Sequence, residues 1–223
     1  MKHYPYIFWD LDGTIINSYN GVAKSVQKGL GSQGVTVDWE NRDQMLKYIG
    51  PPLRVSFTGF AGLTPEQAEK AVAAYRDYYI PDGMFDCTPF PGIREALGRS
   101  REAGRKNLLA SSKPEFMCHQ ILDRFDLSAP FDEIVGATPD GRIDTKLQVL
   151  EEVFRRLREQ NPDFRLSDCV LIGDTKYDAG GAAEAGIDCI GVSYGFGTEE
   201  ELRDAGALAI FDTLPALCSA LGI

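Results

Sequence analysis

Four short apolar runs constrain the fold of this chain more than any other feature: Tyr6 to Trp9, Leu108 to Ala110, Val170 to Ile172 and Cys189 to Val192. They are apolar throughout rather than alternating, which suits strands buried on both faces. Small or acidic residues close each run, and helical patterns lie between them. That alternation predicts a parallel α/β sheet. Ile134 to Gly136 and Ala209 to Phe211 are weaker strand expectations. At 223 residues the chain has room for one large domain, or for one domain carrying a smaller one.

The segment from Asn17 to Met84 breaks the rhythm, with helix signals and no convincing strand. It reads as a helical insertion, so the expected division is a core of residues 1–16 and 85–223 and a helical cap of residues 17–84. The clearest helix start is Thr64-Pro65-Glu66-Gln67, where Thr64 can cap, Pro65 suits the first helical position and Gln67 completes a capping box. Ala68, Ala71, Val72, Tyr75 and Tyr79 then share one face. The polar stretches Asn17-Ser18-Tyr19-Asn20-Gly21 and Pro81-Asp82-Gly83 read as flexible flanks that could act as hinges.

Composition narrows the function classes. A net charge of −10 repels a phosphate backbone, so no nucleic-acid partner is expected. No apolar run reaches the roughly 18 residues of a membrane span, and the first residues lack a signal-peptide pattern, so a cytoplasmic chain without a membrane partner is expected. The five cysteines are widely spaced with no CxxC pair, which reads as reduced thiols rather than a zinc site. A monomer is the default expectation.

The chemistry gathers at strand ends. Phe8-Trp9-Asp10-Leu11-Asp12-Gly13-Thr14 runs a strand straight into two carboxylates, at the edge where open α/β sheets bind ligands. Asp10 and Asp12 project to one side if the strand geometry persists, and Gly13 lets the chain turn away. A simple turn or helix N-cap also accounts for such an Asp-Gly pair. A second acidic end, Val170-Leu171-Ile172-Gly173-Asp174-Thr175-Lys176-Tyr177-Asp178, changes the balance. Carboxylates gathered at one edge repel each other unless a cation neutralises them, and hard oxygen donors without imidazole or thiolate favour Mg²⁺. A Mg²⁺ phosphate site is the expectation. Ser111 and Ser112 end a further strand with hydroxyls and backbone N–H groups for phosphate oxygens, while Lys146 could bring a positive charge to a transferring phosphoryl group. A solvated helix lysine is the alternative for Lys146.

Together these residues resemble the haloacid dehalogenase superfamily of phosphatases, in its phosphoglycolate phosphatase-like branch with a helical cap. The matching motifs are Asp10-Leu11-Asp12-Gly13-Thr14, Ser111, Lys146 and Gly173-Asp174 with Asp178, and Phe90-Pro91-Gly92-Ile93 resembles the return of the chain to the core. The resemblance implies a Rossmann-like α/β core with an inserted cap and a Mg²⁺-dependent phosphomonoester hydrolase acting on a small phosphorylated metabolite. In that scheme Asp10 is the nucleophile and Asp12 the general acid and base. The metal is held by Asp10, the Asp12 backbone carbonyl, Asp174 and Asp178. Gly13, Ser111, Ser112 and Lys146 serve the phosphoryl oxygens. Phosphoglycolate is the leading substrate and nucleoside 5'-monophosphates the alternative, with a phosphomutase or a non-catalytic phosphate-binding role behind them. Gly50-Pro51-Pro52-Leu53-Arg54 resembles the cap loop, so Arg54 is either a clasp for a substrate carboxylate or second phosphate or a solvated surface arginine, and Lys24 on the expected first cap helix carries the same two readings. Asn17 departs from the family, where Asp is common.

Overall fold

In the computed structural model, which describes residues 1–223, an α/β unit of Met1–Asn17 and Pro89–Ile223 is interrupted by a helical unit over Ser18–Thr88. The helical unit holds α1 (Tyr19–Gly31), α2 (Arg42–Leu46), α3 (Leu53–Gly59) and α4 (Pro65–Tyr79), followed by a 3₁₀ turn at Gly83–Phe85. Helix α4 begins as its sequence predicts: the Gln67 N–H donates to the Thr64 hydroxyl at 3.2 Å, and the Thr64 N–H donates to the Gln67 side chain at 3.0 Å. Its buried face is Ala68, Ala71, Val72, Tyr75 and Tyr79, packed chiefly against α1.

Asn17-Ser18-Tyr19-Asn20-Gly21 is not a flexible flank, because α1 starts at Tyr19 and buries Tyr19, Gly21 and Val22. A Cβ on Gly21 would stand 1.9 Å from the Gly83 carbonyl oxygen, so only glycine lets α1 approach the 3₁₀ turn. Packing thus overrides the weak helix propensity of a polar, glycine-containing stretch.

The strands are β1 (Tyr6–Trp9), β2 (Ile16–Asn17), β3 (Thr88–Pro89), β4 (Lys106–Pro114), β5 (Glu133–Ala137), β6 (Cys169–Gly173), β7 (Asp188–Val192) and β8 (Ala209–Phe211). The short segments β2 and β3 mark where the chain leaves and returns. Six strands form one sheet in the order β5-β4-β1-β6-β7-β8, with every neighbouring pair parallel. Helices α5 (Ile93–Glu102), α6 (Glu115–Arg124), α7 (Lys146–Gln160), α8 (Lys176–Ala185), α9 (Glu199–Asp204) and α10 (Leu214–Leu221) connect and flank the strands. This is the parallel α/β sheet that the apolar runs predict, including the two weaker strands, and the Rossmann-like core that the family resemblance implies.

Alternate strand residues feed opposite faces. Phe8, Leu108, Ala110 and Leu171 meet Val149, Leu150, Val153 and Phe154 of α7 and Ala179 and Ala182 of α8, and the Phe8 and Phe154 rings sit edge to face at 5.7 Å. Full burial of each large apolar side chain contributes about 1.5–3 kcal/mol. The indole N–H of fully buried Trp9 donates to Asn107 Oδ1 at 3.2 Å, which also accepts from Ser100 at 2.8 Å. All five cysteines are buried free thiols. No helix is long and apolar enough to cross a membrane.

Candidate active site

Strand β1 stands where the strand order reverses, with β4 and β5 to one side and β6, β7 and β8 to the other. The carboxyl ends of β4, β1 and β6 are therefore neighbours, and such a switch point opens a crevice for ligands. Trp9 aligns with Leu109 and Ile172, which brings the residues after each strand to a common edge. Asp10 follows β1, and its N–H donates to the Ile172 carbonyl at 2.9 Å. Asp174 follows β6 and is fully buried. Asp178 lies in the first turn of α8, where one of its oxygens accepts from the Thr175 N–H at 3.0 Å and hydroxyl at 2.8 Å. Asp10, Asp174 and Asp178 each offer an oxygen within 4.8 Å of the others.

Lys146, the first residue of α7, reaches into this group. Its ammonium donates to Asp10 Oδ1 at 2.7 Å and the Ala110 carbonyl at 2.7 Å, and pairs with Asp178 Oδ1 at 2.8 Å. A Cβ on Gly181 of α8 would stand 2.7 Å from the Lys146 side chain, so a glycine there makes room for the lysine stem. The Asp12 carboxylate lies outside the group of three. It accepts instead from the Lys113 ammonium at 2.9 Å, with the lysine side chain 6% exposed and the aspartate side chain 23%.

Burial and mutual repulsion dominate the electrostatics. Burial drives the Asp10 carboxyl up to about 6, opposed by Lys146 and reinforced by Asp178 and Asp12. Burial, then the neighbouring Asp178 and Asp10 charges, hold Asp174 well above the usual carboxylate range. For Lys146 burial pulls downward, but Asp10 and Asp178 outweigh it and leave the ammonium more firmly protonated than usual. Four carboxylates (Asp10, Asp12, Asp174, Asp178) face two ammonium groups, so a fully ionised site carries two uncompensated negative charges. Asp174 accepts from the Phe196 N–H at 2.7 Å and the Thr14 hydroxyl at 3.4 Å, both neutral donors. Two surplus negative charges on hard oxygen donors fit one divalent cation of the Mg²⁺ kind.

Glycines shape the floor of the site. Gly13, with φ of 82°, would put a Cβ 2.0 Å from Asp174 Oδ2, and Gly195 would put one 2.3 Å from the same oxygen. The Asp174 carboxylate is thus held between two backbones that only glycine allows this close. Ser111 and Ser112 do not end their strand as the sequence suggests, because β4 runs on past a register shift to Pro114; Ser111 is buried within it, its hydroxyl accepting from the Lys113 N–H at 3.3 Å, and Ser112 follows it partly exposed. Arg54 and Lys24 belong to the helical unit. Arg54 on α3 makes a two-pronged ion pair with Glu69 of α4, and Lys24 pairs with Asp86 at 2.6 Å while lying 4.7 Å over the Trp39 ring.

Two features of the site escape the reading of motifs. Lys113 directly follows Ser111 and Ser112, but nothing local marks its ammonium as a partner of Asp12. The loop Tyr194-Gly195-Phe196-Gly197 after β7 supplies the Phe196 N–H to Asp174, and the Tyr194 hydroxyl donates to the Thr14 carbonyl at 3.0 Å. Its signal is a pair of glycines just beyond a strand on the ligand edge.

The family described as haloacid dehalogenase-like hydrolase matches residues 7–192. Among curated proteins, a 5'-nucleotidase of Pseudomonas aeruginosa is 35% identical over 200 residues, covering 90% of this chain and 87% of its own. The tyrosine-protein kinase PtkA of Mycobacterium tuberculosis is 33% identical over 219 residues, covering 97% of this chain and 72% of its own. Among solved structures, a Clostridium acetobutylicum protein described as a predicted phosphatase is 36% identical with a TM-score of 0.91, over 99% of each chain.

Proposed function

Because the chain belongs to the haloacid dehalogenase-like hydrolase family, we propose that it is a Mg²⁺-dependent hydrolase of small phosphomonoesters working through an aspartyl-phosphate. The observation that carries this reading is the division of the acids between two lysines. Asp10 is bound to Lys146 beside Asp174 and Asp178, while Asp12, two residues on, is paired separately with Lys113. One carboxylate is thereby kept for attack and a second for proton transfer, which is the pair of functions that phosphoryl transfer through an enzyme carboxylate requires.

In the first step an Asp10 oxygen forms a bond to phosphorus as the ester P–O bond breaks, and Asp12 donates a proton to the departing alcohol oxygen. Lys146 engages Asp10 Oδ1, which orients the carboxylate and leaves Oδ2 for the attack. In the second step a water oxygen bonds to phosphorus, the Asp10–phosphorus bond breaks, and Asp12 takes the water proton. Ser111, and the backbone N–H groups after β1 and beside Ser111 in β4, are the donors for phosphoryl oxygens. Asp10, the Asp12 backbone carbonyl, Asp174 and Asp178 would hold Mg²⁺, which supplies charge neutralisation of the phosphoryl oxygens. Splitting the reaction in two lowers a barrier that is otherwise among the highest in biochemistry.

The resemblance to a 5'-nucleotidase supports nucleoside 5'-monophosphates as substrates alongside phosphoglycolate. The test is phosphate release from both, and from sugar phosphates and pyrophosphate, with and without Mg²⁺, using Asp10→Asn as the blank. Mg²⁺-dependent release lost in Asp10→Asn is expected, and the preferred ester separates the two substrate readings. Release that survives in Asp10→Asn refutes the covalent mechanism, and no release from any ester refutes the hydrolase reading.

A further inference from the structure

We propose that Lys113 is a positioning residue for proton transfer: its ammonium holds Asp12 by Oδ1, so that Oδ2 carries the proton to and from the reacting oxygen. The inference rests on the hydrolase reading above and assigns a task to a side chain outside its motifs. Ion pairs between exposed side chains are worth little because water and side-chain freedom compete with them. This lysine side chain is 6% exposed, and its backbone is built into place.

Three observations fix that backbone. The β4–β5 register shifts between Ser111 and Pro114, an irregularity of the kind that re-aims side chains beside active sites. The Lys113 N–H donates to the Ser111 hydroxyl at 3.3 Å, and the Cys118 thiol donates to the Lys113 carbonyl at 3.6 Å. A Cβ on Gly136 would stand 2.4 Å from that carbonyl oxygen, so β5 carries a glycine where the shifted segment presses against it. The result is an ammonium 2.9 Å from the acid, brought from 101 residues away. An unrestrained aspartate would sample several rotamers, and holding one of them is the kind of positioning from which intramolecular reactions gain their advantage.

The consequence is a dependence on the leaving group. An alkoxide needs the Asp12 proton as its P–O bond breaks, whereas 4-nitrophenolate departs as a stable anion without one. The measurement is kcat/KM, which reports events up to alcohol release, for the wild type, Lys113→Met and Lys113→Arg. The alkyl esters are adenosine 5'-monophosphate, phosphoglycolate and glycerol phosphate, and the activated ester is 4-nitrophenyl phosphate. Lys113→Met is expected to lose about 100-fold on the alkyl esters, the scale of general acid catalysis, and only a few-fold on the activated ester. Lys113→Arg should recover most of the alkyl-ester loss. Equal losses on both classes, or none on either, would overturn the proposal. Lys113→Gln gives the same comparison should Lys113→Met not fold. A wild type active on neither class refutes the hydrolase reading itself, an outcome distinct from equal losses in the variant.

Discussion

Gly13→Ala tests the packing of the Asp174 carboxylate most directly. The added methyl would stand 2.0 Å from Oδ2, 2.5 Å from Cγ and 2.8 Å from Oδ1. Contacts of this kind need about 3.0 Å, so the carboxylate must retreat by about 1 Å. Gly195 closes the other side, where a Cβ would already lie 2.3 Å from the same oxygen, so the retreat breaks the 2.7 Å bond from the Phe196 N–H. Two costs follow: about 1–2 kcal/mol for a side chain at φ of 82°, and about 1–3 kcal/mol for a buried carboxylate that loses a donor. Gly141→Ala isolates the first cost, because Gly141 has φ of 75° and nothing within 4 Å of its would-be Cβ. Urea unfolding should place Gly13→Ala about 1–3 kcal/mol below Gly141→Ala. Mg²⁺ should stabilise the wild type and Gly141→Ala alike but Gly13→Ala far less. Equal destabilisation of the two variants with an unchanged Mg²⁺ response would refute the reasoning.

Other outcomes follow from the charges. The Asp10 and Asp174 carboxyls are raised on folding, so the folded metal-free protein binds more protons than the unfolded one and loses stability as pH rises from about 4 through about 6 and above. Thermal melts should therefore show a larger Mg²⁺ stabilisation at pH 8 than at pH 5, and Asp174→Asn should stabilise the metal-free protein while abolishing the Mg²⁺ response. Lys146→Met strips Asp10 and Asp178 of their buried cation and is expected to cost about 3–5 kcal/mol in urea unfolding at pH 7, with turnover lost. Glu152 is lowered to about 2 by hydrogen bonds from Arg155 and then Arg156, so its contribution is complete above about 4.5 and vanishes as pH falls to about 2. Its arginine partners are partly solvent-exposed, so Glu152→Gln should cost about 1 kcal/mol at pH 7 and nothing near pH 2, read from melts at both pH values.

What the sequence determined by itself is local. The apolar runs that become β1, β6 and β7 lie within one residue of the observed strands at either end, because burial on both faces leaves no polar residue to blur them. The α4 start and its buried face were legible because a capping box and a helical stripe each lie within a few neighbouring residues. Asp10, Asp12 and Asp174 could be marked as strand-end acids for the same reason, with Asp178 one helical turn further on. Only the tertiary structure decided which of them meet. Lys146 and Asp10 are 136 residues apart, and Lys113 and Asp12 are 101 apart. Their contacts depend on the placement of β1 between β4 and β6, on the β4 irregularity and on glycines that admit close backbones. The loop at Tyr194 to Gly197 and the start of α1 at Tyr19 were hidden for the same reason. A polar segment carries no record of the surface it will pack against, and that surface comes from residues far away in the chain.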